Sequence, residues 1–79
     1  MPKTKRYLPA FTERFEVLLD NSDVTQLDLA KKLGLSTKAI YSWKTGISMP
    51  DAKGVADLAE IFGVSADWLL GLVDEYERK

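Results

Sequence analysis

Thr25-Gln26-Leu27-Asp28-Leu29-Ala30-Lys31-Lys32-Leu33-Gly34-Leu35-Ser36-Thr37-Lys38-Ala39-Ile40-Tyr41-Ser42-Trp43-Lys44-Thr45-Gly46 reads as two short helices joined by a tight turn. Thr25, followed three residues later by Asp28, has the spacing of a reciprocal cap opening the first of them. Leu29, Ala30 and Leu33 form its inner face. Gly34 stands where a helix end needs a left-handed residue, and Ser36 two positions on can cap the next helix, which leaves a connection of only about three residues. Ala30 is small where two crossing helices must approach, and Leu29, Leu33, Leu35, Ile40 and Trp43 are expected to fasten the pair onto a core. What remains outward on the second helix is Thr37, Lys38, Tyr41, Ser42 and Lys44, a face of hydrogen-bonding groups.

Upstream, a polar arm leads to Pro9, which suits a helix start, and Phe11, Phe15, Leu18 and Leu19 then recur as one apolar stripe. Asn21-Ser22-Asp23 reads as a loop. Downstream, Ile47-Ser48-Met49-Pro50 is a loop, and Asp51 caps a fourth helix with Val55, Leu58, Ala59 and Phe62 inward and Gly63 as its stop. Ser65 caps a fifth, with Leu69, Leu70, Leu72 and Val73 apolar. Strand-like alternation is absent. The expectation is an all-α, compact five-helix bundle: a flexible basic arm over residues 1–8, a domain over 9–73 with its helix-turn-helix unit at 26–45, and a charged tail at 74–79.

Composition narrows the chemistry. The 79 residues contain no cysteine and no histidine, so no disulfide, thiolate nucleophile, imidazole base or zinc-type ligand set can be assembled. No enzyme, metal or cofactor is therefore expected. Apolar runs are as short as Val17-Leu18-Leu19, far below the ~20 residues that span a bilayer, and Glu13, Arg14 and Glu16 interrupt any leader-like segment after the basic start. A cytoplasmic location with no membrane contact is the expectation. The formal charge is −1, but residues 1–50 carry eight bases against five acids while residues 51–79 carry three against seven. That asymmetry points to an anionic partner facing the first half.

The run from Thr25 to Ser36, then Ile40-Tyr41-Ser42-Trp43 and Gly46, resembles the Xre-type (Cro and phage-repressor-like) helix-turn-helix family. The resemblance continues through Pro50, Leu58-Ala59, Phe62-Gly63-Val64-Ser65 and Asp67-Trp68-Leu69-Leu70, and so covers residues 10–71. It implies a lambda-repressor-like bundle whose third helix reads bases in double-stranded DNA. By position, Thr37, Lys38, Tyr41 and Ser42 are the base-reading candidates, and Gln26, Lys44 and Thr45 the DNA-backbone candidates. The chain departs from the family pattern at Lys44, where an acid is frequent, at Ala39, where a small polar residue is common, and in the Ile47–Met49 loop, which lacks the frequent basic residues.

Two segments carry competing readings. Lys3, Lys5 and Arg6 either wrap into a groove as an arm or merely solvate the chain end. The apolar segment Trp68–Val73 either closes the core or leaves a dimer surface, in which case Trp68 and Leu72, one helical turn apart, are the shared residues. The function expected is a sequence-specific DNA-binding transcriptional regulator, a phage or bacterial repressor that occludes a pseudo-palindromic operator as a homodimer. The competing function is an antitoxin or adaptor of the same fold whose main partner is another protein, with the apolar C-terminal segment as its supporting feature.

Overall fold

The computed structural model describes residues 4–74. They form α1 (Thr4–Asp20), α2 (Gln26–Leu33), α3 (Thr37–Thr45), α4 (Ala52–Phe62) and α5 (Ala66–Leu69). Each of the last four helices opens on a side-chain cap: Thr25, Ser36, Asp51 and Ser65 accept from the N–H groups of Asp28, Ala39, Gly54 and Trp68. These are the groups a helix start leaves without intrahelical partners. The same four helices also end alike. The N–H groups of Leu35, Ile47, Val64 and Leu72 each donate over 2.9 Å to the carbonyls of Ala30, Ser42, Ala59 and Asp67. Just before each donor stands a glycine at positive φ, between 67° and 81°. This closure satisfies the last carbonyls and turns the chain sharply, which is how five short helices wrap around one center.

The core is built on α1. Phe11 and Phe15 are fully buried and stack at 5.4 Å, and Phe15 meets the edge of Trp43 at 6.2 Å. Leu29 and Ala30 from α2, Ile40 from α3, Val55, Leu58 and Ala59 from α4, Val64, and Leu69 from α5 complete it. α3 packs against both α1 and α2, so the outward face of α3 is fixed by what its inward face buries.

Three expectations change. α1 begins at Thr4 and takes Pro9 into its second turn, so Lys5 and Arg6, expected in an arm, belong to a helix. Proline there forgoes the bond to the Lys5 carbonyl, and its ring crowds that carbonyl. Lys3 and residues 75–79 of the expected tail lie outside the described residues. Leu35, expected to fasten the pair inward, is 44% exposed, because it sits past the turning glycine with its backbone committed to closing α2. Finally, α5 is one turn long and stops at Leu69, so Trp68 and Leu72 do not share a helix. Gly71 at φ 81° sends Leu72 and Val73 outward, 53% and 41% exposed.

Candidate nucleic-acid interface

α3 presents two rows. Ile40 and Trp43 are buried, while Thr37, Lys38, Tyr41 and Thr45 are exposed and Ser42 and Lys44 are half-buried at the margin. Tyr41, at 54% exposure, is clear of the core that holds its neighbor Ile40. The four base-reading candidates therefore share one accessible face, with Thr37 and Lys38 in the first turn, where a helix entering a major groove reaches base edges.

Gln26, half-buried, is the first residue of α2. The capping box uses the N–H of Asp28 on the Thr25 hydroxyl and the N–H of Thr25 on the Asp28 carboxylate, each at 3.1 Å. That leaves the backbone N–H groups of Gln26 and Leu27 as the first-turn donors for an outside acceptor, beside the positive end of the helix dipole. The Thr25 backbone N–H, then its side chain, holds the Asp28 carboxyl below its ordinary value, with smaller help from Lys31 and Lys32. Asp28 is the only acid between Thr25 and Gly46, set against Lys31, Lys32, Lys38 and Lys44. The unit is thus net positive although the whole chain is not.

Thr45 is less free than its position implies. Its hydroxyl donates to the Tyr41 carbonyl at 2.9 Å, and a threonine has a single proton to give, so donation to a phosphate requires exchanging that bond. Ile47, just past α3, is 71% exposed and supplies no charge to the loop.

The C-terminal candidates lie on and just beyond α5. Trp68 is half-buried under the Arg14 guanidinium, which lies 5.0 Å from its ring center, and Leu72 stands beyond the end of α5. In the sequence Arg14 stands out only as one of the charges that interrupt a leader-like segment. Nothing in its spacing on α1 marks it, because its partners are backbone carbonyls from the far end of the chain.

A short helix, a glycine turn and a second helix with a polar outer face, braced by three further helices, define an all-helical DNA-binding domain, a class without catalytic activity. The chain belongs to the Xre-type helix-turn-helix family: the family described as helix-turn-helix domain matches residues 12–75. It is 34% identical over 59 residues to an uncharacterized HTH-type transcriptional regulator of Haemophilus influenzae, covering 75% of this chain and 24% of that protein. It is 32% identical over 69 residues to the 26 kDa repressor protein of Escherichia phage HK022, covering 82% and 29%. It is also 32% identical over 60 residues to the HTH-type transcriptional activator BcrR of Enterococcus faecalis, covering 76% and 29%. The chain thus spans under a third of the length of these relatives. No solved structure gives a significant match. Among the described residues no helix is long and apolar enough to cross a membrane.

Proposed function

We propose that this chain is a sequence-specific DNA-binding transcriptional regulator that acts as a repressor, pairing as a homodimer on a pseudo-palindromic operator. The observation that carries the reading is the outer face of α3, where Thr37, Lys38, Tyr41 and Ser42 lie together on a helix whose other side is locked into the core. In this reading those four residues meet base edges, and Gln26, Lys44 and Thr45 fix the register on phosphates. Lys3, Lys5 and Arg6 add contacts near the start of α1. One recognition helix reads few base pairs, so discrimination needs a second half-site about 34 Å away, one turn of DNA. Trp68 and Leu72 are the proposed pairing residues. Repression then follows from occlusion of a promoter and uses no cofactor.

The test is selection of bound duplexes from a random pool. Enrichment of a two-fold related sequence with half-sites one turn apart is the expected result. Recovery of unrelated sequences, or of a lone half-site, counts against the reading. The exposed Leu72 and Val73 favor a second reading, in which another protein is the main partner, and co-purification of a distinct chain on that surface would support it.

A further inference from the structure

Among the described residues, four contacts converge on Arg14, and the DNA-facing reading uses none of them. Nη1 of Arg14 donates to the Trp68 carbonyl at 2.5 Å and to the Val73 carbonyl at 2.8 Å. Nη2 lies 3.7 Å from the Asp74 carboxylate, and the guanidinium covers the Trp68 ring. The segment so gripped is the turn that ends α5. The Trp68 carbonyl also accepts from the Gly71 N–H at 3.0 Å, and the Asp67 carbonyl accepts from the Leu72 N–H at 2.9 Å. Gly71 presses on α1, where a Cβ would come within 2.6 Å of the Ala10 methyl.

One guanidinium thus binds a carbonyl on each side of Leu72 while stacking on Trp68. Nη1 alone gives a proton to each carbonyl, which leaves Nη2 toward Asp74 and the flat face of the group on the ring. A lysine ammonium has protons for both carbonyls, but it has no flat face to cover the Trp68 ring and no second nitrogen to turn toward Asp74. Without the guanidinium, the turn after α5 loses its hydrogen bonds to α1, and a segment with fewer ties opens more readily.

We propose that Arg14 is the positioning residue of the pairing surface: it fixes the turn at residues 70–73 so that Leu72 and Trp68 stand in one orientation for a second copy of the chain. This rests on the dimeric reading above. It adds that the surface is preformed, so that pairing need not order it.

The experiment compares the chain with Arg14→Gln and Arg14→Lys variants by sedimentation equilibrium, at a temperature well below each variant's melting point. There, a change in global stability alone leaves the folded population, and hence the dimer constant, unmoved. The expected result is a dimeric parent, a dimer weakened about tenfold in Arg14→Gln, and an intermediate loss in Arg14→Lys, a difference readily resolved on the affinity scale. Gly71→Ala, which disturbs the same turn from the other side, is expected to reproduce the loss. A dimer constant unchanged in both Arg14 variants overturns the proposal while leaving the dimer intact. A monomeric parent overturns the dimeric reading itself. Should Arg14→Gln fail to fold, Arg14→Lys, which keeps the charge, carries the same comparison, and pairing equal to the parent's is the overturning outcome.

Discussion

Side chains on one helix face can differ in kind as well as in place. Lys38 and Ser42 stand one turn apart on the accessible side of α3, and each has protons to offer a base edge. Gln26, at the start of α2, stands beside two unengaged backbone N–H groups, an arrangement suited to phosphate oxygens, which carry no base identity. Lys38→Ala or Ser42→Ala is expected to relax preference at particular base pairs, by about 1–3 kcal/mol where the contact is direct. Gln26→Ala is expected to weaken all duplexes alike. Affinities of the three variants across a panel of single-base operator changes separate the roles, and equal losses on every duplex from all three would refute the assignment. Thr45 stands outside this contrast, because its proton is already given to Tyr41.

Elements here are defined by their junctions, and the junction of α2 has a pH signature. In the folded chain the Asp28 carboxyl is held below the ordinary value of 3.8, chiefly by the Thr25 N–H. A lowered folded value means that the charge-linked support is fully present above the unfolded value. It is lost as pH falls below 3.8 and through the lowered folded value. Asp28→Asn keeps an acceptor but cannot titrate, so its thermal stability should fall less steeply than the parent's between neutral pH and about pH 2. Parallel acid limbs in the two proteins would show that the cap is not coupled to charge. Such junctions are legible in sequence because they are local: Thr25 with Asp28, Ser36, Asp51 and Ser65 declare themselves by spacing alone. The recognition face is legible by subtraction, once Ile40 and Trp43 are assigned inward. The extent of α5 was also written in the chain, since Gly71 is the same stop as Gly34, Gly46 and Gly63, but the apolar run from Trp68 to Val73 imitates a continuing helical stripe. The hold of Arg14 on the Trp68 and Val73 carbonyls, across more than fifty residues, has no local signature at all.

At the scale of the whole molecule, charge is divided unevenly between the two halves of the sequence. The first fifty residues hold the excess of bases, including the four lysines of the helix-turn-helix unit, whereas the remainder holds seven acids against three bases. Leu72 and Val73 emerge within the acidic part, flanked by exposed Asp67 and Asp74. Added salt should therefore act in opposite directions on the two proposed equilibria. DNA binding releases condensed counterions, so with about two to four bases per protomer near phosphates, a dimer's log K should fall against log salt with a slope of roughly −4 to −7. Pairing of two acidic, apolar ends brings like charges together, and salt screens that repulsion while leaving apolar contact intact, so the dimer should tighten modestly. Sedimentation of the protein alone at about 0.05 M and 0.3 M salt, beside duplex titrations over the same range, measures both trends. Parallel weakening of both would mean that ion pairs, and not Leu72 and Trp68, hold the protomers together; a flat DNA response would remove the lysine face from the interface.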